Sequence, residues 1–285
     1  METTIYKPTG CVSLAETLTD PQIRLGIQGS PGSGKTWEAL TFPNPIVANF
    51  DRGLIAHQGR SDVIEVPFWN GTFCDSIHKR DGIMAPPNRK DAWLVWLAKE
   101  ASKLVREQTL VVDSNRQIQN AYHTQYKLNP VISNKGKDNK FAEWTQKIDY
   151  FAELGTMYKS LKCDVVYICH ETEDVDADTG APNGSVKPML SGESGRSIAS
   201  DFTDWFRALA IAKPVSDDAK KRAKDKYHLS DETLKEWINS TSNETIYIWQ
   251  TQFDEVCKCK TSLVGAPKYV IAHYSTFAKY KRKID

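Results

Sequence analysis

Short apolar runs recur along the chain, separated by polar stretches that carry glycine, proline and asparagine. Runs at 23–28, 46–50, 62–68, 109–112, 164–169 and 205–212 each have the length of one buried strand. Between them, apolar residues repeat at helical spacing. Trp93, Leu94, Trp96, Leu97, Ala101, Leu104 and Val105 form a stripe that predicts a helix over 90–107. Further helices are expected from Thr36 to Leu40, over 116–128 and 141–161, and as a short turn at 196–200. Residues 70–88 read as a long loop, 129–140 as a polar loop, and 171–188, with Gly180 and Gly184, as an exposed hairpin. Strands alternating with helices imply an α/β fold on a mainly parallel central sheet.

The same pattern sets the boundaries. Residues 1–21 are a polar lead-in to one domain over 22–285. Within that domain, 215–243 is a charged, helix-like insertion. Late strands lie within 246–272, with 246–250 and 255–260 expected to pair as a hairpin. Residues 273–285 form a basic tail with Lys279, Lys281, Arg282 and Lys283.

Composition narrows the function classes. The chain has 285 residues, 40% of them hydrophobic, enough for one sizeable core. A formal net charge of +1 gives no global attraction to nucleic acid, so any such contact must come from local patches. Six cysteines include no C-x-x-C pair, and Cys257-Lys258-Cys259 lacks further ligands at zinc spacing; free thiols in a reducing cytosol are expected. With no basic–apolar leader and no run of about 18 apolar residues, no membrane contact and a cytoplasmic location are expected.

Gly29-Ser30-Pro31-Gly32-Ser33-Gly34-Lys35-Thr36 matches G-x-x-x-x-G-K-[ST] in full, with a strand before it and a helix after it. The glycines let backbone N–H groups wrap a phosphate chain, and the helix adds its positive end. Lys35 would reach the β- and γ-phosphates of ATP, and Thr36 would ligate Mg²⁺. The run 110–112 ends in Asp113, the acid such a site needs near its metal.

Taken together, the P-loop, the strand ending Val112-Asp113-Ser114, and the strand ending Cys169-His170 resemble the RecA-type ATPase core. His170-Glu171, the acidic segment from Asp174 to Gly184, and Pro188-Met189-Leu190-Ser191-Gly192 narrow the resemblance to phage RecA-like proteins of the Sak single-strand annealing group. It covers roughly 22–212 and 246–272 and leaves 215–243 as an extra insertion.

The resemblance implies roles. Asp51 stands where the family places its acidic base, although Asp51 also precedes Gly53 as a turn residue would. His170 takes the place of the γ-phosphate sensor. Lys258 and Lys260 match a cationic pair that reaches a neighbouring subunit's nucleotide from a late strand; a solvated strand edge reads equally well. DNA contacts would fall on Lys135, Lys137 and Lys140 in one loop, and on Lys187 and Arg196 around a second. The acids Glu171, Glu173, Asp174, Asp176 and Asp178 oppose that second contact. The implied protein is an oligomeric ATPase acting on single-stranded DNA in recombination or annealing, with a single-strand-binding protein as a further partner. A hexameric helicase motor and a P-loop switch working through a protein partner are the alternatives.

Overall fold

The computed structural model describes residues 22–78, 87–130, 139–176, 179–190 and 198–281. One nine-stranded sheet organises them, with β1 (Arg24–Gly29), β2 (Pro45–Asn49), β3 (Ile64–Pro67), β4 (Thr109–Asp113), β5 (Asp164–Val175), β6 (Pro182–Pro188), β7 (Asp204–Ala212), β8 (Thr245–Gln250) and β9 (Tyr269–Ile271). The order is β3-β2-β4-β5-β1-β7-β8-β9, and β6 pairs with the outer part of β5. The pairs from β3 to β7 are parallel, and β7–β8 and β8–β9 are antiparallel. The central strands β1, β2 and β4 are buried along their whole length, as expected of strands covered on both faces.

Helices cover the two faces. They are α1 (Lys35–Ala39), α2 (Gly71–Ile77), α3 (Arg89–Lys99), α4 (Asn115–Leu128), α5 (Lys140–Ser160), α6 (Asp217–Tyr227), α7 (Asp231–Asn239) and α8 (Tyr274–Tyr280). On one face, α3, α4 and α5 pack an aromatic core in which Phe50 stacks on Phe68 and Trp93 on Trp96, and the two stacks meet edge to face. On the other, α1 and α8 cover Leu25, Ile27, Val47, Val111 and Val166.

The insertion helices start where short polar caps dictate. Ser216 and Ser230 accept from the N–H groups of Ala219 and Thr233, and each cap is followed by two acids in the first turn. Trp237 of α7 is buried in a small separate core with Ile246 and Ile248.

Three expectations need correcting. The 70–88 segment opens as a helix, not a loop: Asn70 accepts from the N–H groups of Thr72 and Phe73, and Cys74 is buried. Residues 255–260 form no strand. Asp254 accepts from the N–H groups of Val256 and Cys257 and turns the chain, leaving isolated bridges from Cys257 to Val186 and from Lys260 to Trp205. The partner of β8 is β9, so the expected late hairpin is replaced by a longer connection. The basic tail is largely α8, whose Phe277 is buried against Phe42 and Phe206; Arg282 and Lys283 lie outside the described residues.

Candidate active site

The glycine-rich loop joins β1 to α1 at the carboxyl edge of the sheet, where open parallel sheets bind ligands. Gly32 and Gly34 take φ values of 79° and 89°, a left-handed conformation that L side chains rarely adopt. A β-carbon at Gly34 would also lie 2.4 Å from the ring of Tyr247, so β8 packs directly on the loop. Lys35 is buried and turned into the loop. Its Nζ donates to the carbonyls of Gly29 (2.9 Å) and Ser30 (2.7 Å) and to Ser33 Oγ (3.3 Å). Burial lowers its pKa, against the pull of Asp113, Glu38 and Glu171.

Thr36 Oγ1 donates to Asp113 Oδ2 at 2.8 Å, tying the end of β4 to the start of α1. Asp113 is buried, and desolvation, reinforced by Asp51, pushes its pKa up to about 6. Asp51 follows β2 in a turn shaped by buried Asn49, whose Oδ1 accepts from the N–H groups of Asp51 and Arg52. Asp51 Oδ1 accepts from Gly53 N at 2.8 Å, so it serves as a turn residue while also facing the cleft. His170 ends the part of β5 beside β1; burial and then Lys35 lower its pKa, which keeps the imidazole neutral.

Lys35, Thr36, Asp51, Asp113 and His170 all line one cleft of about 1110 Å³. Lys258 and Lys260 do not line it; both are exposed on the irregular 254–260 segment. Lys187 on β6, expected at a DNA contact, is paired with Asp174 at 2.5 Å. Lys140 opens α5, and Lys135, Lys137 and Arg196 lie outside the described residues.

Two contacts have no counterpart in the sequence reading. Glu171, expected as part of an exposed acidic loop, is buried, and accepts from Arg207 Nε at 2.9 Å and Arg207 Nη2 at 3.1 Å. It also accepts from Ser30 Oγ at 3.3 Å, linking the loop to β7. An arginine inside the apolar run 204–212 was the available signal. The second is Glu38 on α1, fully buried beneath the loop, where Trp249 Nε1 donates to its Oε2 at 2.6 Å. Burial raises its pKa well above the usual carboxylate value.

A strand, a glycine-rich turn and a helix carry the phosphate cradle, and a second parallel strand delivers an acid to its threonine. That arrangement defines a P-loop nucleoside triphosphatase. A family model described as an AAA domain matches residues 22–213, most of the chain, and the chain belongs to that family. The protein is thus a P-loop ATPase. Among solved structures, it is similar to the assembled ATPase EscN from the type III secretion system of enteropathogenic E. coli. That likeness has a TM-score of 0.37 and 10% identity, and covers 72% of this chain and 45% of that one. No curated protein matches the sequence. No helix among the described residues is long and apolar enough to cross a membrane.

An ATPase of this kind uses ATP, usually with Mg²⁺, and the residues fit both. At Gly32 no other atom lies within 4 Å of where a β-carbon would stand, which leaves room for phosphate oxygens along the backbone. Thr36 and Asp113 supply a hydroxyl and a carboxylate, the hard oxygen donors Mg²⁺ prefers. Among the described residues no group of three or more His, Cys, Asp or Glu could hold an ion by itself. A metal here therefore relies on phosphate oxygens and water for its remaining ligands.

Proposed function

We propose that this ATPase acts on single-stranded DNA in recombination or annealing, as a head-to-tail homo-oligomer, ring or filament, of the RecA-like kind. Lys35 would neutralise the β- and γ-phosphates, and Thr36 and Asp113 would hold Mg²⁺, which supplies charge neutralisation of the transferred phosphoryl group. Asp51 would orient the attacking water, and neutral His170 would hydrogen-bond the γ-phosphate.

The observation that carries this reading is that two elements starting at the chemical end of the cleft lead, along the chain, into the candidate DNA segments. α4 starts two residues after Asp113 and runs 14 residues to the connection that carries Lys135 and Lys137. β5 runs unbroken from His170 into the hairpin with β6. A shift at the γ-phosphate would reach both. Pairing of buried Glu171 with Arg207 takes one acid out of the charge that opposes a DNA contact near the hairpin. Lys258 and Lys260, exposed and outside their own cleft, remain available to a neighbouring subunit.

Steady-state ATP hydrolysis with and without single-stranded DNA tests this, with Lys35→Ala as the blank. Strong stimulation that the variant loses is expected. Hydrolysis indifferent to DNA, with no binding at low salt, would overturn the proposal in favour of a switch acting through a protein partner. Directional unwinding of a forked duplex would make the protein a translocating motor. The subunit arrangement is tested by mixing Lys258→Ala/Lys260→Ala subunits with Lys35→Ala subunits. Activity should reappear where an intact loop meets intact lysines. No recovery despite co-assembly would exclude lysines acting in trans.

A further inference from the structure

The cleft has two ends, separated by the order of the strands. On one side of β1, strands β5, β4 and β2 deliver His170, Asp113 and Asp51. On the other side, β7 and β8 carry the insertion, and its last residues line the same cleft. The Thr36–Asp113 contact marks where a metal and γ-phosphate belong, so a triphosphate lying in the loop must point its nucleoside toward β8.

The wall it would meet is the turn from α7 to β8. Asn239, Ser240, Thr241 and Asn243 line it, short neutral side chains rich in donors and acceptors. Apart from histidines, Lys35 is the one cation among the described residues lining the cleft, so the distal end is not built for a second phosphate group. The carboxamides of Asn239 and Asn243 make no hydrogen bond to another described residue, whereas the backbone beneath them is fixed. Lys213 Nζ donates to Thr241 O at 2.7 Å, Asn243 N donates to Thr241 Oγ1 at 3.0 Å, and Lys213 N donates to Glu244 O at 2.7 Å. Trp237, buried on the small core, anchors the helix that leads into the turn. Ser240 Oγ is held by the carbonyl of Trp237, to which it donates at 2.7 Å. A held backbone presenting two free carboxamides is preorganised to receive ribose hydroxyls and the polar edge of a base. The cleft volume of about 1110 Å³ has room for a whole nucleotide.

We propose that the α7–β8 turn, with Asn239 and Asn243 as its reading groups, is the nucleoside-binding wall of the triphosphate cleft, and that the 215–243 insertion thereby sets which nucleoside triphosphate is accepted. This rests on the P-loop holding the triphosphate.

The test is calorimetric binding of Mg·ATP and of Mg·tripolyphosphate to the intact chain, to Asn239→Ala/Asn243→Ala and to Lys35→Ala. Both asparagines are exposed, and the melting temperature of the double variant checks its fold. The intact chain should bind ATP more tightly than tripolyphosphate. The double variant should lose about tenfold in ATP affinity, keep its tripolyphosphate affinity, and rank the four common nucleoside triphosphates more evenly. Unchanged ATP affinity, or an equal loss for both ligands, would overturn the proposal. If Lys35→Ala alters neither ligand's affinity, the P-loop reading itself has failed, and this inference with it.

Discussion

On the β2–β4 flank of the P-loop, Asp51 and Asp113 stand at the ends of strands buried along their whole length, held by hydrogen bonds to Asn49, Gly53 and Thr36. On the β8 flank, they stand on a turn that reaches the sheet through a small core of its own. The first flank holds Asp51, Asp113 and a neutral imidazole; on the second the turn offers short neutral polar groups, with Glu236 on the helix before it. Chemistry needs charges held to within fractions of an ångström, which a deeply packed sheet supplies. Discrimination between nucleosides needs a shaped polar surface, which a pinned turn supplies.

Perturbing the first flank should stop hydrolysis. Asp113→Asn keeps the shape and a hydrogen-bond acceptor for Thr36 but removes the carboxylate charge, and should lower steady-state ATP hydrolysis by about 100-fold or more. Retained activity would remove Asp113 from the metal site. Perturbing the second flank should leave the loop working. Trp237→Ala should cost the insertion about 3–5 kcal/mol of local stability, seen as faster hydrogen exchange across 213–244. Tripolyphosphate should still bind; losing it as well would show that the two flanks are one cooperative unit.

A smaller effect is expected where Glu171 and Arg207 tie the loop to β7. Glu171→Gln keeps an acceptor but leaves a mostly buried guanidinium without its counter-charge, and should destabilise by about 2–3 kcal/mol, discounted for the partial exposure of Arg207. Adding Arg207→Met should restore much of that in a denaturant double-mutant cycle. Additive losses would argue against direct coupling.

The smallest effect concerns Glu38, common to both flanks. Its folded pKa is raised, so as pH climbs past the ordinary glutamate value the unfolded chain releases a proton that the folded chain keeps. The stability it contributes is therefore present at low pH and lost as pH rises. Glu38→Gln keeps an acceptor for Trp249 and removes the titration. The melting temperature of the variant minus that of the natural chain should grow from about pH 5 to about pH 8. A flat difference would mean Glu38 is ionised in the fold.

The β2–β4 flank was legible in the sequence because its signals are local. Apolar runs ending in Asp or His, and a glycine-rich octet, state both element and chemistry in a few consecutive residues. The α/β class followed from the same runs. What stayed hidden depended on partners distant in the chain. Glu38 lies 211 positions from Trp249 and Glu171 lies 36 from Arg207, and nothing around either acid announces its partner. The alternation in 255–260 suggested a strand because Cys257 and Cys259 do face inward, but the Asp254 turn leaves only isolated bridges there. The helix after Asn70 is hidden in the sequence by the Gly, Asn and Pro content of 70–88.

The insertion enters and leaves the sheet at one point: Ala212 and Thr245 are direct partners across β7 and β8. A segment whose two ends already touch can lengthen, shrink or be exchanged without moving a strand. Over evolutionary time, fuel preference can then drift by remodelling that one appendage, while the engine that burns the fuel is inherited unchanged.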